Sequence, residues 1–180
     1  MYFDLEMLCW RKAFAAWQVQ RGTGKLFLNC SPYLLECGQF DPEALQRCGG
    51  APDRIVLELT ERSAIKDYGV IYDKLDHFKA LHMGVAVDDV GCGFASLNTV
   101  ARVRPHYLKI DLALISSIHH DLLKQDIVEA IVSFSRKHQI QTIAEGIERQ
   151  EELDTVRALG VDAGQGYLLA RPSPELPGGG

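Results

Sequence analysis

Six short apolar runs along this 180-residue chain finish at a side chain that an apolar strand has no use for. In order these are Asn29, Glu58, the adjacent Asp88 and Asp89, Lys109 with Asp111 just beyond it, Glu145 and Gln165. Taken singly, an acid or amide after a strand caps the next helix or satisfies a loop, and Lys109 pairs with Asp111 or Asp88. Six such endings in succession point instead to one convergent site. Carboxylates gathered there repel one another, and burying them unpaired is costly, so divalent metal is the economical resolution. Oxygen donors from Asp, Glu and Asn suit magnesium, manganese or calcium rather than a thiolate zinc site. Adjacent aspartates, one reaching each way, suit two ions about 3.5–4 Å apart, the arrangement that cleaves phosphodiesters. A lysine just inside such a mouth is placed to orient a nucleophilic water. Gly91 and Gly93 around Cys92 read either as an ordinary turn or as the hinges of a loop that carries Asp89 over the site.

The elements that must position these groups alternate between strand and helix. Apolar spacing predicts an opening helix from Asp4 to Val19, then a strand over Lys25–Asn29, a short helix over Pro42–Cys48 and a strand over Arg54–Glu58. A long amphipathic helix over Tyr68–Met83 is expected to close on Gly84 as its left-handed cap, with a strand over Val85–Asp88. Next come helix Ser96–Val103, strand Tyr107–Ile110, helix Asp121–His138, strand Gln141–Ala144, helix Gln150–Leu159 capped by Gly160, and a last short strand over Ala163–Gln165. Short apolar strands between amphipathic helices imply parallel β/α units. Six strands are expected, whereas a closed barrel of this kind has eight. The fold class is therefore α/β, a TIM-like (β/α) barrel with about six of its eight strands present. The domain is expected to cover 1–172, with 173–180 a Pro/Gly-rich tail.

Composition narrows the function classes. A formal charge of −5 argues against holding a nucleic-acid polymer through a basic surface field. The five cysteines form no C-x-x-C pair, so they read as reduced thiols of a cytoplasmic protein. The six histidines show no ligand spacing, and the adjacent His119 and His120 read as surface or capping residues. No apolar run approaches the length of a membrane span.

Five segments in order, Glu58-Leu-Thr-Glu61, Asp88-Asp-Val-Gly-Cys-Gly-Phe-Ala-Ser-Leu97, Lys109-Ile-Asp111, Ala144-Glu-Gly-Ile-Glu148 and Gln165-Gly-Tyr167, resemble the successive motifs of the EAL domain, and Asn29-Cys-Ser31 resembles its Asn-x-Ser element. The resemblance implies a modified barrel that hydrolyses one phosphodiester bond of cyclic-di-GMP, giving the linear dinucleotide pGpG, with two magnesium or manganese ions. It implies that Asn29, Glu58 and Asp88 hold one ion and that Asp88, Asp89 and Glu145 hold the other. Lys109 would be the general base or water-positioning group, and Gln165 would orient the water. Glu61 would anchor the Asp88–Ser96 loop, with Asp111 and Glu148 in support. That loop takes part in dimerisation in the family, so a homodimer is expected. Three departures accompany the match. The signature Glu-Ala-Leu segment, with its metal-binding glutamate and the nearby arginine that contacts a phosphate, is not among these residues; Val90 replaces the usual Phe; and Cys92 replaces the usual Thr. Glu6, on the opening helix, is no substitute ligand. The 180 residues are accordingly expected to hydrolyse little or no cyclic-di-GMP, with a non-catalytic receptor or a fragment of a longer signalling protein as the alternatives.

Overall fold

The structure, a computed structural model, describes residues 2–19, 24–31, 34–35, 52–59, 68–91 and 97–173. The expected helix over Pro42–Cys48, Glu61, Cys92 and Gly93, and the tail beyond Ser173 lie outside them. The chain divides into two compact units, Met1–Val85 with Ser173–Gly180, and Ala86–Pro172.

In the first unit, helix α1 (Tyr2–Val19) precedes strands β1 (Leu26–Cys30) and β2 (Ile55–Leu59), which pair in parallel from Leu26 opposite Ile55 to Cys30 opposite Leu59. Every residue of β2 is buried, as a parallel strand covered on both faces requires. A 3-10 turn, Pro52–Arg54, delivers the chain into β2, so that strand starts one residue later than its apolar pattern suggested. Helix α2 (Tyr68–Ala80) buries Ile71, Leu75 and Phe78, the 3.6-residue spacing of one face.

Strand β3 (Gly84–Val90) runs longer than expected and passes through both aspartates. Helix α3 (Leu97–Val103), strand β4 (Tyr107–Ile110), the short helix α4 (Leu112–Ile115), helix α5 (Leu122–Lys137), strand β5 (Gln141–Ala144), helix α6 (Gln150–Ala158) and strand β6 (Ala163–Gly164) follow. In the second unit β3 pairs with β4, β4 with β5 and β5 with β6, all in parallel. Its core joins Ile110, Ile115, Val128, Val132, Ala144, Ile147 and Val156. Among the described residues there are thus six strands, alternating with helices as the apolar pattern indicated.

Helix ends show where sequence and structure part. Gly84 is no cap; it is the buried first residue of β3. His82, with φ +65°, takes the left-handed position after α2. Its N–H donates to the Lys79 carbonyl at 2.8 Å, and that of Met83 to Phe78 at 3.1 Å, the paired bonds of a Schellman motif. Gln139 (φ +57°) closes α5 in the same way, its N–H on Arg136 and that of Ile140 on Ser135. Gly160 (φ +81°) closes α6 as expected. His120 is exposed and His119 half-buried, with their rings 4.0 Å apart in a 3-10 turn; the cap of α5 is Asp121, whose carboxylate receives the Leu123 and Lys124 N–H groups. A left-handed L-residue costs roughly 1 kcal/mol more than glycine. Gln139→Gly is therefore expected to raise the thermal midpoint by about 2–4 °C, and Gly160→Ala to lower it by a similar amount, measured by calorimetry.

Candidate functional site

Lys109 lies on β4, between β3 and β5, and is only 4% exposed. Its ammonium sits 2.7 Å from Glu145 Oε1 and 3.0 Å from Asp88 Oδ1. Gln165, directly after β6, donates its Nε2–H to the same Glu145 oxygen at 2.6 Å. Asp88 Oδ1, although buried beside the ammonium, accepts no aligned hydrogen bond. Asp88, Asp89 and Glu145 each offer an oxygen within 4.8 Å of the others.

The two aspartates share that space because β3 is irregular where they sit. Val87 pairs with Leu108 and Val90 with Ile110, so Asp88 and Asp89 together oppose the single residue Lys109. This is a β-bulge, uncommon between parallel strands. In a regular strand adjacent side chains leave on opposite faces. Here Asp89 turns into the left-handed region at φ +55°, a conformation aspartate tolerates better than most residues. The Asp111 N–H then closes the ladder on the Val90 carbonyl at 3.1 Å.

Crowding acts on the proton affinity of the site. Burial pushes the Glu145 carboxyl up, the hydrogen bond and charge of Lys109 oppose it, and the Asp88 carboxylate adds to the rise; Glu145 settles at about 7. Three acids gathered in this way, each with an oxygen within 4.8 Å of the others, are a donor set suited to a hard divalent cation.

The backbone around Glu145 is pinned from several sides. The Glu145 N–H donates to the Ile110 carbonyl, the Gln165 N–H to Ala144 and the Ile147 N–H to Gln165. Gly166 packs so tightly on the Ile147 backbone that a Cβ there would overlap it. Asp162 accepts both the N–H and the hydroxyl of Thr142, at 2.7 and 2.8 Å, at the other end of β5. Glu152, on the first turn of α6, accepts the Ser117, Glu148 and Arg149 N–H groups. Burial works against its charge, but these backbone donors outweigh it and hold the carboxyl below its ordinary range.

In the first unit Asn29 and Glu58 stand opposite each other on β1 and β2. Helix α1 fixes that strand end: the Trp10 indole donates to the Asn29 carbonyl at 2.8 Å, and Glu6 accepts the N–H and the hydroxyl of Ser31, both at 2.7 Å. Glu6 is thereby committed to Ser31.

The family model of the EAL domain matches residues 5–172. The chain belongs to the EAL family. It is 35% identical over 131 residues to MucR of Pseudomonas aeruginosa, a bifunctional diguanylate cyclase/cyclic di-GMP phosphodiesterase, an alignment covering 73% of this chain and 19% of MucR. This EAL chain thus spans about a fifth of that curated relative. Among solved structures, a standalone EAL protein of Vibrio cholerae O395 in its c-di-GMP-bound form superposes with a TM-score of 0.87 at 31% identity, covering 96% of this chain and 75% of that one. The calcium/cy-diGMP complex of Klebsiella pneumoniae BlrP1 gives 0.84 at 29% identity, covering 94% and 44%. A manganese complex of BlrP1 gives 0.82.

Of the residues singled out by sequence, the structure brings Asp88, Asp89, Lys109, Glu145 and Gln165 together in the second unit and sets Asn29 beside Glu58 in the first. Asp111 caps α4, accepting the Ala113 N–H at 2.7 Å. The Glu148 side chain is exposed, and its backbone N–H serves Glu152. Glu152 itself was missed: an acid three residues past the helix start is a capping signal, but Arg149 at that start hides it.

Two outcomes are expected here. A proton held more tightly in the folded chain stabilises it below about pH 4.5, and that contribution is lost as pH rises through about 7. Metal-free wild type should therefore lose stability across this window relative to Glu145→Gln, in denaturant melts at stepped pH. At the bulge, Asp89→Asn should keep the fold, whereas Asp89→Val should lower stability by about 1–3 kcal/mol, the cost of a strained backbone there, in urea titrations.

Proposed function

We propose that this chain carries cyclic-di-GMP phosphodiesterase chemistry: hydrolysis of one phosphodiester bond to give pGpG. The observation that carries the reading is the grouping of Asp88, Asp89 and Glu145 within 4.8 Å, with the Lys109 ammonium on two of them. Magnesium or manganese ions, when bound, would activate water and neutralise charge on the phosphate. Asp88, Asp89 and Glu145 would hold metal, and Asn29 and Glu58 enter as further ligands through the motifs they share with the family. Lys109 would orient the attacking water or take its proton. Gln165, anchored on Glu145, would aim a second polar group at that water. Water adds across one P–O bond, leaving a phosphomonoester on one nucleoside and a hydroxyl on the other. The c-di-GMP complexes of the structural neighbours support this substrate, and the BlrP1 manganese complex supports the metal class. Glu61 and Asp111 are supporting groups in the same reading, as is Glu148 through its backbone. A homodimer in the cytoplasm completes it; no described helix is long and apolar enough to cross a membrane.

In this reading the 180-residue polypeptide binds cyclic-di-GMP and turns it over. Titration calorimetry with calcium should show saturable binding, and chromatography with manganese should show pGpG formation that Asp88→Ala abolishes. Binding that ignores calcium and survives Asp89→Ala would replace this reading with that of a non-catalytic receptor.

A further inference from the structure

Glu152 is a carboxylate only 3% exposed, and three backbone N–H groups bond it, with the Arg149 charge adding to their effect. Both its oxygens are spent on backbone. Oε1 accepts the Ser117 N–H at 2.8 Å; Oε2 accepts the Glu148 N–H at 3.0 Å and the Arg149 N–H at 3.1 Å. The Arg149 bond is helix capping, since Glu152 is the third residue of α6. The Ser117 bond has no capping purpose. It reaches back 35 residues to the connection that follows β4, where Ser117 holds a left-handed φ of +57°.

These contacts join two connections that each begin at a site residue. One leaves Lys109 through Asp111, α4 and Ser117; the other leaves Glu145 through Gly146 and Ile147 to Glu148. The connections also meet through Gly146, where a Cβ would run into Leu112. Ile147, wholly buried, passes the constraint on to the segment after β6, since its N–H donates to the Gln165 carbonyl and its own carbonyl accepts from Leu168. Lys109, Glu145 and Gln165 make contacts of 2.6 and 2.7 Å, and such distances survive only if the backbones that carry them are mutually fixed.

We infer that Glu152 is a positioning residue: by clamping Ser117 to Glu148 and Arg149 it sets the Lys109–Glu145 spacing, and with it the geometry of the metal-binding carboxylates. A carboxylate suits this task where an amide does not. It offers acceptors on both oxygens, whereas glutamine must turn an N–H₂ toward at least one backbone N–H. The inference rests on the metal-binding reading above.

The test compares wild type, Glu152→Gln and Val132→Ala, the last a core truncation in the same unit that serves as a control for plain loss of stability. Amide hydrogen exchange on the metal-free full chain should show Glu152→Gln speeding exchange at Ser117, Glu148, Arg149 and Ile147, and Val132→Ala sparing that pattern. Calcium titration should show affinity falling about tenfold in Glu152→Gln, with Val132→Ala near wild type. Unchanged exchange at Ser117 and Glu148, or loosened exchange with unchanged calcium affinity, would overturn the positioning role while leaving the metal site intact. Failure of wild type itself to bind calcium would overturn the metal reading, and the positioning role would fall with it.

Discussion

Three carboxylates within reach of one cation repel one another, and in a partly buried setting they stay together only if positive charge lies among them. Lys109 supplies that charge from an unusual place, the interior of a strand. Since β4 pairs with β3 on one side and β5 on the other, a side chain rising from its middle can reach acids on both neighbours without bending the sheet. The strand order of the second unit is thus part of the electrostatics. Were β4 at an edge, the ammonium would serve one acid and leave the other to find its own counter-charge.

In each unit the polar groups mostly hold backbone in place. Asp111 caps α4, Asp162 grips Thr142, Glu152 clamps Ser117 to the segment after Glu145, and Glu6 with Trp10 fixes the end of β1. These are carboxylate-to-N–H and indole-to-carbonyl bonds, short and directional. The apolar core of Ile110, Val132, Ala144 and Val156 gives the second unit its cohesion, and the buried polar bonds decide which register that cohesion adopts.

Much of this was legible in the chain. Parallel β/α alternation followed from the apolar periods, and the polar strand endings named the residues that gather around Lys109. What was illegible came from conformation that sequence does not encode locally. Gly84 looked like a helix cap, yet the left-handed residue is His82, because the Schellman bonds to Phe78 and Lys79 fix the position by geometry rather than by residue type. Glu152 was not singled out, because its partner Ser117 lies 35 residues away. Asp88 and Asp89 were read as a strand terminus, since pattern alone cannot show a strand continuing through a bulge.

That bulge constrains how such a site arises. Beyond it, the inside-outside alternation of β3 is shifted by one, so Val90 occupies the place that Asp89 would hold on a regular ladder. Substituting aspartates into a regular strand would send the second carboxylate to the opposite face, however well the first was placed. The paired motif is therefore a matter of chain length as much as of residue identity. Losing the one residue Val90 would restore a regular ladder with Asp89 opposite Ile110, turning its carboxylate away from that of Asp88 though both aspartates remained.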